Sequence, residues 1–213
     1  MARKKPTPKP VNKSLVVFSE GKKTEPNYLE GFKSDFAVEP RSILIKKSKH
    51  TDPKGIISEA IAYKEENKFT KDDQMWVIFD RESIEKYSHQ YHLEARNLAQ
   101  SKKIFISFSN VCFEQWLIYH FLNSTRSYSS YDNLMSESEL KKKLSEIGIS
   151  NYEKGENIYS RLKPFIDTAI INAQNIRDQL DQTDPNKQPA EKGAYVDVDL
   201  LLIAIKLLNL SSI

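Results

Sequence analysis

The chain has 213 residues, a formal net charge of +3 and a hydrophobic fraction of 39%, enough to bury a sizeable core in one domain or in one domain with an appendage. A single cysteine, Cys112, excludes an intrachain disulfide and fits a reducing cytoplasm, and with only four scattered histidines a Cys/His zinc site is not expected. No apolar run approaches the ~20 residues needed to cross a bilayer, and residues 1–13 lack the apolar stretch of a signal peptide, so the expectation is a soluble, cytoplasmic protein with no membrane partner.

Charge is unevenly spread. Residues 1–50 carry 12 Lys/Arg against 5 Asp/Glu, and the remainder carries 20 against 24. A basic end on a near-neutral body suits a phosphate-rich partner. Residues 1–13 combine three prolines with Lys and Arg and are expected to form a basic, disordered arm, either a solvated tail or a contact for nucleic-acid phosphates.

The first apolar run, Ser14 to Ser19, reads as a buried strand. A helix should follow, with Thr24 as its N-cap, Pro26 in its first turn, and Tyr28, Leu29, Phe32 and Phe36 at helical spacing. Ser42 to Lys46 reads as the second strand, and Asp52-Pro53 opens the next helix through Ile56, Ile57, Ala60 and Ile61. Gln74 to Phe79 is the third strand, residues 84–101 an amphipathic helix, and Ile104 to Phe108 the fourth strand. Alternation of this kind predicts an α/β fold with a parallel four-stranded sheet flanked by helices on both faces.

After Asn110 the pattern changes. An apolar helix is expected over Cys112–Leu122, and no convincing strand follows. Ser136-x-x-Glu139 has the form of a capping box that starts a Lys-rich helix ending at Gly148. A long helix is expected from about Glu156 to Asp181 with a kink at Pro164, then a polar loop over 184–193 and an apolar helix over Asp197–Leu210. Residues 14–124 therefore read as an α/β core and residues 125–213 as a helical extension packed on it.

Two acidic clusters carry the chemistry. Glu20 and Asp80 each follow a buried strand, at the carboxyl edge where open parallel sheets bind ligands. In extended backbone Asp80 and Glu82 point to the same side, so their carboxylates can share one hard cation. Glu20-Gly21-Lys22-Lys23-Thr24-Glu25 sets a carboxylate and two lysines at a helix N-terminus, which attracts anions. The glycine pattern of a phosphate-binding Walker loop is missing. Glu114, with Leu117, Ile118 and Phe121 as helical neighbours, reads either as a supporting acid near a metal or as a structural ion pair or cap. His120 reads as a core histidine, Cys112 as a packing residue and Lys141-Lys142-Lys143 as a solvated helix face; His89 and His92 lack a third ligand.

Three strings, Glu20-Gly-Lys-Lys-Thr-Glu-Pro-Asn-Tyr28, Val77-Ile-Phe-Asp-Arg-Glu82 and Ser109-Asn-Val-Cys-Phe-Glu-Gln-Trp-Leu-Ile-Tyr-His-Phe121, resemble the RloB/AbiLii family. That resemblance covers residues 14–122 well and implies a Toprim-type, Rossmann-like domain from bacterial restriction and abortive-infection loci. It places the Toprim glutamate on Glu20 and the paired acids on Asp80 and Glu82, where Toprim enzymes usually carry Asp-x-Asp, and the family's Asn-Pro stands here as Asn110-Val111. It implies Mg²⁺ or Mn²⁺ held by Glu20, Asp80 and Glu82, with Glu20 as a general acid or base. Lys22 or Lys23 would offset phosphate charge, and Glu114 would support the site. The expectation is a Mg-dependent nuclease of DNA or RNA in anti-phage defence. The alternative is a non-catalytic metal- or nucleotide-binding regulatory subunit working with a companion ATPase. Homo-oligomerisation stays open.

Overall fold

The structure, a computed structural model, describes residues 13–208. The basic arm, apart from Lys13, lies outside the described residues. Four strands, β1 (Leu15–Ser19), β2 (Ile43–Lys47), β3 (Gln74–Asp80) and β4 (Phe105–Ser109), form an all-parallel sheet in the order β2-β1-β3-β4. The fold is the expected α/β arrangement. From β1 the chain first adds a strand on one side and then returns to add β3 and β4 on the other. The carboxyl ends of β1 and β3 therefore sit side by side at a topological switch point, where α/β sheets open a ligand crevice.

Strand periodicity sends alternate side chains to opposite faces. Leu15, Val17, Trp76 and Ile78 enter one core, while Val16, Phe18, Met75, Val77 and Phe79 enter another. Helices α2 (Pro53–Glu66) and α3 (His89–Ser101) cover the second face through Ile56, Ile57, Ala60, Ala95 and Ala99. The first face is covered by α1 (Thr24–Phe36) and α4 (Glu114–Tyr119), and by every helix that follows. These are α5 (Tyr131–Glu137), α6 (Leu140–Glu146), α7 (Tyr159–Leu162), α8 (Ile166–Thr183) and α9 (Val198–Leu207). All five contribute to one continuous apolar cluster with α1 and β1. Fully burying a single Leu or Phe side chain there contributes about 1.5–3 kcal/mol.

Several local expectations change. Thr24 is the first residue of α1 and not its cap; Lys23 holds the cap position without a side-chain bond. The third helix begins at His89, not at 84. Glu82 adopts φ +60° and Ser83 O accepts from the amides of Lys86 and Tyr87, so the segment turns before Ser88 Oγ caps α3 by accepting from Tyr91 N. Ser136 lies within α5, its hydroxyl donating to Asn133 O, while Ser130 caps that helix. Gly148, at φ +84°, lies beyond α6 in the left-handed conformation that glycine adopts without cost. The long helix divides at Pro164 into α7, a 3₁₀ turn at Lys163–Phe165, and α8, because proline removes an amide donor and crowds the preceding turn. The apolar helix expected over 112–122 is confined to α4.

Candidate functional site

The switch point gathers carboxylates from four elements. Glu20 continues β1, its amide bound to Ile78 O at 3.0 Å, and its Oε2 accepts from the backbone amide of Asp80 at 3.2 Å. Asp80 ends β3 and is buried. Glu25 stands in the first turn of α1, also buried, with its carboxylate lying directly over Gly21; a Cβ on that glycine would overlap it. Glu114 opens α4 and is fully buried. Its Oε1 accepts from Tyr152 OH at 2.9 Å, and its Oε2 has no hydrogen-bond partner.

These groups repel one another in a poorly solvated place. Burial raises the Glu20 carboxyl to about 7, with Glu82 and Glu25 adding to the effect against the Asp80 amide and Lys86. Burial raises Asp80 well above the usual carboxylate range, followed by the charges of Glu25 and Glu114, with Glu20 adding a smaller push. Glu25 rises for the same reason, with Glu114 as its main like-charged neighbour. One cation answers them from the helical segment. Burial acts to depress the Lys154 ammonium, but Glu114, Asp80, Cys112 and Glu25 outweigh it and hold the group above its ordinary value. Lys154 is exposed as a residue, and its ammonium lies 5.0 Å from the centroid of the Tyr131 ring.

The sequence-predicted residues are only partly brought together. Glu20 and Asp80 meet. Glu82 does not continue the strand: β3 ends at Asp80, the positive φ of Glu82 breaks the extended alternation, and its carboxylate pairs with Lys86 at 2.9 Å with the side chain 39% exposed. Asp80 and Glu82 therefore do not share one side of an extended backbone, although Glu82 remains an electrostatic neighbour of Glu20. Lys22 and Lys23 are exposed beside the start of α1, and the Lys23 stem packs over Gly155. Glu114 joins the cluster. Two further charged groups, Glu25 and Lys154, stand beside these residues. Glu25 sits within the same motif as Glu20 and was legible there, whereas nothing in the local sequence marks Lys154.

His120 is a satisfied core group. Its Nε2 lies 2.8 Å from Tyr28 OH and its Nδ1 3.1 Å from Trp116 O, and burial lowers it to about 4. Burial also lowers His92 to about 4, its Nε2 lying 3.1 Å from Arg81 O. Burial pushes the Cys112 thiol up, as befits a packing residue.

Among the described residues no three His, Cys, Asp or Glu side chains are already arranged to hold a metal ion. The donor chemistry nevertheless fits a hard divalent cation. The cluster is all-oxygen, its carboxylates are short of positive charge, and one buried Glu114 oxygen lacks any partner. Beside it lies a cavity of about 190 Å³ lined by Asp80, Glu82, Ser83, Ser130, Tyr131 and Lys154, among others. A groove of about 490 Å³ shares Glu82, Ser83, Val111 and Ser130 with that cavity.

The model of the RloB-like protein family matches residues 15–205. The chain belongs to the RloB-like family. The match continues past the α/β unit, so the segment of this RloB-like protein that supplies Tyr152 and Lys154 falls inside the family's span. No curated protein and no solved structure matches it. No helix among the described residues is long and apolar enough to cross a membrane.

Proposed function

We propose that this RloB-like protein is a Mg²⁺- or Mn²⁺-dependent nuclease that cleaves phosphodiester bonds in DNA or RNA, working in bacterial anti-phage defence. The observation that carries the chemistry is the buried Glu25–Asp80–Glu114 cluster, with its unpartnered Glu114 oxygen, at the sheet's switch point beside Glu20. Glu20 and Asp80 would hold the divalent ion, Glu25 and Glu114 are the neighbouring donors, and Glu82 lines the adjoining cavity with Asp80 while paired with Lys86. When bound, the ion polarises a phosphodiester and lowers the pKa of a water. Glu20, raised to about 7, is suited to accept or return a proton near neutral pH. Lys22 and Lys23, at the start of α1, would bind substrate phosphate as exposed cations. The defence role and a companion ATPase rest on the family resemblance.

The test is divalent-ion-dependent cleavage of DNA and RNA by the purified protein. Wild type should cleave, while Glu20→Ala and Asp80→Ala should lose activity with their fold intact. Equal cleavage by the variants would reject the site. A second reading, a non-catalytic metal- or nucleotide-binding subunit, is favoured by the way Lys86 holds Glu82. Metal binding by calorimetry with no turnover, alone or with a partner ATPase, would select that reading.

A further inference from the structure

The loop Tyr152–Gly155 is fastened on both sides of the acidic cluster. On one side Tyr152 OH donates to Glu114 Oε1 at 2.9 Å. On the other, Asn27 Nδ2 of α1 donates to Gly155 O at 3.3 Å, and the stem of Lys23 lies where a Gly155 side chain would stand. Gly155 itself has φ +96°, a conformation open to glycine and costly for other residues. The loop thus closes tightly over the start of α1. Between its two fastenings it presents Lys154, with the ammonium over the Tyr131 ring.

We propose that Lys154 is a tethered counter-cation of the acidic cleft, whose ammonium neutralises Asp80, Glu25 and Glu114 without metal and must be expelled when a divalent ion binds. Lys154 lines one cavity with Asp80, and its loop neighbour Tyr152 is bound to Glu114, so the loop sets a cation beside buried carboxylates. A buried carboxylate is costly to keep ionised without a cation close by. Lys154 is the cation that acts on Glu25 and Asp80, and it answers Glu114 as well. A divalent ion brings twice the charge to the same oxygens and repels the ammonium.

Lys154 lines the 190 Å³ cavity with Asp80, Glu82, Ser83, Ser130 and Asp132, among others, and is exposed as a residue, so the displaced side chain can turn outward. A phosphate brought there by the metal would meet the freed ammonium. Metal and phosphodiester therefore favour the same displaced state of Lys154 and should bind with positive coupling. The inference rests on the proposed metal site, and its decisive readout is metal binding, not cleavage.

The experiment is calorimetric titration of the full-length protein with Mn²⁺ alone, comparing wild type with Lys154→Met, Lys154→Gln and Lys154→Arg. Removing the competing charge should tighten Mn²⁺ binding about tenfold in K154M and K154Q, equivalent to about 1.4 kcal/mol, while K154R stays close to wild type. In EDTA the two neutral variants should melt below wild type and regain more on adding Mn²⁺. Mn²⁺ affinity that is unchanged or weaker in K154M and K154Q would overturn the proposal. K154Q gives the same answer if K154M fails to fold without metal. Absence of cleavage by a protein that binds Mn²⁺ would instead reject the nuclease reading, so the two failures are distinguishable.

Discussion

Replacing Glu20 by Gln removes one titrating group while keeping an oxygen able to accept from the Asp80 amide. In the fold the Glu20 carboxyl is raised from 4.5 to about 7, mainly by burial. A raised carboxyl holds its proton more tightly in the folded protein. Its stabilising contribution is therefore complete below pH 4.5 and is lost as pH rises through about 7. At about 1.4 kcal/mol per pKa unit, wild type should lose roughly 3 kcal/mol relative to E20Q across that interval. His92 and His120, lowered to about 4, slope the other way. Their stability is present above pH 6.5 and lost as pH falls through 4, but both are common to the two proteins and cancel in the difference. The assay is urea unfolding in EDTA at several pH values from 4 to 8. The difference should open with rising pH, and Mg²⁺ at pH 8 should stabilise wild type more than E20Q. Two stability curves that run parallel, within about 0.5 kcal/mol, would refute the assignment of Glu20 to a carboxylate-crowded site.

Gly21→Ala should displace the Glu25 carboxylate, which overlaps the new methyl, and lower metal-dependent cleavage at least tenfold while circular dichroism stays native. Tyr152→Phe leaves both Glu114 oxygens without a partner and should cost about 1–3 kcal/mol in urea unfolding. Asp80→Asn should abolish cleavage yet raise the melting temperature in EDTA at pH 8, since it removes a strongly raised buried acid; a fall in melting temperature would contradict the crowding. Arg177 of α8 makes paired bonds to the buried Asp199 of α9, so Arg177→Met should destabilise the protein by about 3–5 kcal/mol in the same assay.

The sheet and the meeting of Glu20 with Asp80 follow from local sequence pattern alone. Four apolar runs alternating with amphipathic helices leave few arrangements besides a parallel sheet, and strand-end acids must then collect at one edge. Even His120 was legible, because its apolar helical neighbours require a buried, neutral imidazole. Tertiary structure decided the rest. Glu82 reads as a strand residue, yet a single left-handed φ turns its carboxylate to Lys86. Glu25 stands beside Glu20 in the candidate site because Gly21 leaves room for its carboxylate. Lys154 carries no local signal at all. It reaches the cleft because Tyr152 and Gly155 are fastened to Glu114 and Asn27, residues distant in sequence. Periodicity fixes which backbone edge collects charge, whereas the packing of distant segments fixes which side chains face one another across it.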